Sequence, residues 1–109
     1  RSENGGVING VLTNLSTGGV EVKTSAINGK NLQKGSEIEL DFQVHLADRK
    51  FLVATQATIM WRQEDDDEVK LGCAFIKLSD AHFGLIHGFV MDQSVHRIES
   101  ALYMQSERN

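Results

Sequence analysis

The stretch Asn14-Leu15-Ser16-Thr17-Gly18-Gly19 gathers short polar side chains and bare backbone between two apolar, strand-like runs. Chemistry is available there. An Asn side chain offers one acceptor and two donors, and a Ser hydroxyl serves a single oxygen or nitrogen partner. Gly18 and Gly19 let the backbone approach a bulky group or take a positive φ that other residues resist. The same residue types also build tight turns, in which Asn and Ser satisfy only neighbouring backbone groups. Taken alone, the stretch is compatible with a turn and with a ligand site.

No second constellation competes with it. His45, His82, His87 and His96 lack the paired spacing with Cys or carboxylate that zinc requires. His82 and His87, five apart, do not share a helical face. Asp65-Asp66-Asp67 lacks the alternating ligands and central glycine of a calcium loop, so it reads as a solvated hairpin turn. No Ser-His-Asp or Cys-His arrangement can be argued. The expectation is a binding domain without enzymatic activity and without a cofactor.

The elements around the stretch read as β. Val7-Ile8 and Val11-Leu12 form a short strand interrupted at Asn9-Gly10, where a bulge or tight turn is expected. In 19–24, Val20 and Val22 share one face, with Glu21 and Lys23 on the other. Asn28-Gly29 signals a turn. Ile38, Leu40, Phe42, Val44 and Leu46 alternate strictly with Glu37, Glu39, Asp41, Gln43 and His45, so one face is buried and one is wet. A turn at 47–50 leads into a strand over 51–62, with Phe51, Val53, Thr55, Ala57, Ile59 and Trp61 in one phase. The acidic turn 64–68 separates it from a strand over 69–78 with Val69, Leu71, Cys73 and Phe75 in phase. Trp61 and Phe75 therefore read as core rather than as a stacking platform.

After Leu78 the period changes. Ser79 suits an N-cap and Asp80 suits the first turn of a helix. Phe83, Ile86, Val90, Met91, Val95, Ile98 and Leu102 follow helical spacing, which predicts a helix over 80–105. Its distal part, with Val95, Ile98 and Leu102, exceeds what a small barrel needs and is the candidate face for an attached or partner protein. Several short antiparallel strands and one amphipathic helix imply a small barrel or sandwich with the helix across one opening.

Composition narrows the class. The 109 residues, 40% hydrophobic and 24% charged, suit one domain with a core of its own. Net charge of −4 argues against a general nucleic-acid binder, and 6% aromatic content against an oligonucleotide-binding barrel. No apolar run is long enough for a transmembrane helix, and no signal peptide is visible. The Asn14-Leu15-Ser16 sequon thus carries little weight, and a cytoplasmic setting is expected. Cys73 sits in an apolar run and reads as a small core residue. The chain opens on Arg1 without a Met, which suggests a fragment of a longer protein.

The order of landmarks resembles the PilZ domain family, whose fold is a six-stranded antiparallel barrel with a C-terminal helix. Asn14-Leu15-Ser16-Thr17-Gly18-Gly19 matches the family motif [D/N]-x-S-x-x-G. Ile59-Met60-Trp61-Arg62 matches a strand ending in apolar-Trp, Leu71-Gly72-Cys73-Ala74-Phe75 matches L-G-x-x-F, and Leu78-Ser79-Asp80 matches the link into the last helix. The resemblance covers roughly residues 7 to 92, and it implies one domain, with the barrel over about 7–78.

It also implies a ligand, the bacterial second messenger cyclic di-GMP, contacted by Asn14, Ser16, Gly18 and Gly19. Asn14 would read a guanine edge and Ser16 a base or phosphate oxygen. One departure stands out. The family's R-x-x-x-R loop, whose guanidinium groups would hold the phosphates, occurs nowhere in this sequence. The first barrel strand, normally between those arginines and the turn, is mostly missing too. Either both precede residue 1 in a parent protein, or this member lacks them and acts through protein contacts alone. Lys23 and Arg62 would supply charge if they lined the same rim. Hydrogen bonds to charged groups contribute about 1.5–3 kcal/mol each, so two lost arginines weaken binding by roughly a hundredfold or more.

Overall fold

The computed structural model describes residues 7–46, 48–91 and 97–106. The elements run β1 (Val7–Leu15), β2 (Gly19–Ser25), β3 (Glu37–Leu46), β4 (Arg49–Asp65), β5 (Glu68–Phe75), α1 (Asp80–Met91) and β6 (Arg97–Ser106). The strands pair antiparallel throughout and close into a barrel in the order β1-β2-β5-β4-β3-β6. This is the six-stranded antiparallel barrel that the resemblance implied.

Alternation builds the core. Ile38, Leu40, Phe42 and Val44 of β3 all point inward and are buried, as are Val20 and Val22 of β2, Val53, Ala57 and Ile59 of β4, and Val69, Leu71 and Cys73 of β5. Fully burying an aliphatic side chain of this size contributes about 1.5–3 kcal/mol. Leu32, on the loop 26–36, is buried with them, and so are Ile86 and Phe89 of α1. Ser79 caps the helix as expected. Its hydroxyl accepts from the His82 amide at 3.1 Å, and its carbonyl accepts from the Phe83 amide at 2.8 Å.

The C-terminal region differs from the sequence expectation. The helix ends at Met91 rather than running over 80–105, and Arg97–Ser106 is a strand. Ile98 and Leu102 are four apart, a spacing shared by one helix face and one strand face, so it does not discriminate. The sheet decides. Without a strand between them, β1 and β3 would each present unpaired backbone groups. β6 supplies partners to both, with Val11 opposite Ala101 and Leu40 opposite Met104. Met104 is buried in the core. The expected partner-facing helix end is thus absent: Ile98 and Leu102 belong to β6, and Val95 lies outside the described residues.

The expectation that the first barrel strand, before the turn motif, is mostly missing is overturned: β1 fills that place as a strand of nine residues, paired with β2 on one side and with β6 on the other. β1 itself is continuous through Asn9-Gly10, and its irregularity falls instead between Leu12 and Asn14.

Candidate functional site

Two β-bulges create the site. In β1, the extra residue between Leu12 and Asn14 leaves both Thr13 and Asn14 exposed, while Leu12 and Leu15 are buried. In β4, the register shifts between Ile59 and Trp61. Ile59 remains in the core, but Trp61 emerges on the outer surface, 41% exposed. The expectation of a core Trp61 is therefore overturned. Strict alternation from Phe51 pointed it inward, and a bulge reverses the phase of everything beyond it. Phe75 is partly buried and packs against the core, as expected.

Both bulges aim their residues at one lateral row. Asn14 pairs with Glu21, Glu21 with Gly72, and Gly72 with Trp61, across β1, β2, β5 and β4. Three strand spacings separate the ends of the row, about 14 Å. The neighbouring row, Leu15, Val20, Cys73 and Ile59, is buried beneath it. An open pocket of about 230 Å³ lies over this surface, lined by Asn14, Ser16, Gly18, Gly19, Glu21 and Trp61 among others. All four residues singled out from the sequence thus meet at one place. Trp61, Glu21 and Gly72 join them without having been named as site residues, and only the bulge in β4 brings Trp61 there.

The motif residues also make the turn. The Asn14 Oδ1 accepts from the Leu15 amide at 3.0 Å. The Ser16 Oγ accepts from the amides of Gly18 at 3.2 Å and Gly19 at 3.3 Å, and the Ser16 amide donates to the Gly19 carbonyl at 2.9 Å. The two glycines differ in role. A Cβ on Gly19 would collide with the Cys73 carbonyl, so Gly19 lets β2 start hard against β5. A Cβ on Gly18 would meet nothing closer than the Ser16 Oγ at 3.9 Å. Gly18 instead ties the turn to β5, its carbonyl accepting from the Phe75 amide at 2.9 Å.

Neither candidate cation reaches this pocket. Lys23 lines a separate concavity with Asn9, Gly10 and Thr24. Arg62 is committed to the loop 26–36. Its Nε donates to the Leu32 carbonyl at 2.9 Å and one terminal nitrogen to the Gly29 carbonyl at 3.3 Å, while the other pairs with Glu64 at 3.1 Å. Among the described residues lining the pocket, the charged side chain is that of Glu21.

Burial pushes the Cys73 thiol beneath the pocket up to about 12, so it stays protonated and is no nucleophile. Among the described residues, no helix is long and apolar enough to cross a membrane. Comparison with curated proteins and with solved structures returns no match. The family model of the PilZ domain matches residues 1–92, up to the end of α1 and short of β6. A closed six-stranded barrel, the turn motif at the head of β2 and this match together establish that the chain belongs to the PilZ domain family.

Proposed function

We propose that this domain is a receptor for cyclic di-GMP that passes ligand occupancy to an attached or partner protein in the bacterial cytosol. The observation that carries the reading is the convergence of Asn14, Ser16, Gly18 and Gly19 with Trp61 in one pocket. The Asn14 side chain holds the turn through its acceptor alone, while the Ser16 hydroxyl accepts from two amides and donates to the Gly19 carbonyl at 3.4 Å. The Asn14 amide nitrogen makes no hydrogen bond among the described residues and is available to a ligand. An exposed indole offers a stacking face to a base, and base–aromatic stacking contributes about 1–3 kcal/mol.

One observation favours a second reading, a PilZ-like barrel that works through protein contacts without nucleotide. No Lys or Arg lines the pocket among the described residues, while Glu21 does. A dianionic ligand then draws its counter-charge from outside the pocket or does not bind. Calorimetry with cyclic di-GMP on the full-length protein separates the two. Saturable heat, weakened about tenfold or more by Ser16→Ala in a variant that keeps its fold, supports the receptor. The absence of heat at high ligand concentration favours the interaction module.

A further inference from the structure

We infer that the concavity beside Lys23 is a second binding site, for a small zwitterion with surplus positive charge, the chemistry of a basic amino acid. At about 400 Å³ it falls within the roughly 300–1,000 Å³ typical of small-molecule sites. It shares no lining residue with the motif pocket. Val11 and the bare backbone of Gly10 line it on the β1 side. Lys23 of β2 supplies a cation. Asp67 and Glu68, where the turn after β4 enters β5, supply two carboxylates.

The walls are held in place by the fold itself. The Thr24 side chain is buried, and its hydroxyl donates to the Asn9 carbonyl at 2.8 Å, which ties β2 to β1. The Asp67 carbonyl accepts from the Ala26 amide at 2.8 Å, which fixes the acidic turn against the loop 26–36. Opposite charges thus face one another across a set gap. Lys23 lies opposite Lys70 and Ser25 opposite Glu68, so Lys23 and Glu68 are diagonal neighbours, about 7–8 Å apart at this spacing. Among the described residues Lys23 closes no ion pair with Glu68 or Asp67. Lys23 and Glu68 are both half-buried, where charges interact more strongly than in open water. A carboxylate accepts hydrogen bonds and an ammonium donates them. The ligand's cationic groups therefore go to Asp67 and Glu68, and its carboxylate goes to Lys23. A basic amino acid carries that set of groups. A nucleotide does not, since its phosphates would meet two carboxylates for one lysine.

The experiment titrates L-arginine, agmatine and L-glutamate into the full-length protein, read by amide chemical shifts and by calorimetry. Agmatine is arginine without its carboxylate, and glutamate reverses the balance of charge. The expected result is saturable arginine binding with shifts centred on the amides of Gly10, Thr24 and Glu68, about tenfold weaker binding of agmatine, and none of glutamate. Lys23→Met lowers arginine to the level of agmatine and leaves agmatine unchanged. Glu68→Gln weakens both about tenfold. Equal binding of arginine and agmatine by the wild-type protein overturns the inference. So does the absence of localised shifts at high arginine concentration, and neither result bears on the motif pocket.

Discussion

The indole of Trp61 fills the place of the side chain that Gly72 lacks. Strand β5 thus gives up a side chain on its outer face so that a residue from β4 can lie across it. The close approach explains why a large aromatic can sit on the barrel exterior with only 41% of its surface exposed.

Replacing Gly72 by Ala therefore forces the indole off the sheet. Because Trp61 is at the surface it can swing outward, so the stability loss stays near the low end of overpacking costs, about 1 kcal/mol. Trp61 emission shifts to the red as the ring becomes wetter. Urea denaturation and fluorescence spectra check both.

The turn glycines separate cleanly. Gly19→Ala puts a methyl group against the Cys73 carbonyl, which is backbone and cannot rotate away. The expected loss is about 1–3 kcal/mol or more. Gly18→Ala faces open space and stays within about 0.5 kcal/mol of wild type. Chemical denaturation of the two variants side by side tests the assignment.

Arg62 fastens the loop 26–36, and with it the buried Leu32, to β4. Arg62→Ala removes both bonds to backbone carbonyls and destabilises by about 1.5–3 kcal/mol. The bond to Glu64 contributes little, since Glu64 is largely exposed. Arg62→Lys rescues poorly, because an ammonium is a point charge and cannot reproduce the planar fork. Hydrogen exchange read at Leu32 speeds up in both variants, while any ligand affinity of the motif pocket is unchanged.

Cys73 makes stability fall in alkali. Burial raises its folded-state pKa from an ordinary 9.0 to about 12. The folded state thus holds its proton more tightly than the unfolded chain. The contribution is full below about pH 9 and is lost progressively as pH climbs towards 12. At pH 8 a thiol reagent labels the native protein slowly and the urea-unfolded protein fast. Fast labelling of the native state would show the thiol to be open.

Legibility followed periodicity and ended where periodicity breaks. β3 could be read from sequence because Ile38 through Val44 alternate without interruption. The phase of Trp61 could not, because one extra residue after Ile59 inverts it and leaves no compositional trace. The motif Asn14 to Gly19 was visible as residue types, but its companion Glu21 looked like any wet strand position. It gains meaning only from the register that sets it beside Gly72. β6 was hidden for another reason. Its apolar spacing suits helix and strand alike, and only the two edges it satisfies, on β1 and on β3, select the strand.

That last pairing sets a clock on folding. Val11 finds its partner in Ala101, nearly the whole chain away, so the ring closes only by a contact of very high sequence separation. On a ribosome adding about 5–20 residues each second, Val7–Leu15 and Glu37–Leu46 wait with bare edges until everything else in the barrel has been made. A chain that stops at the end of α1 carries the whole of the matched family region, yet it exposes two strands ready to pair with another copy. The last strand covers both of those edges at once.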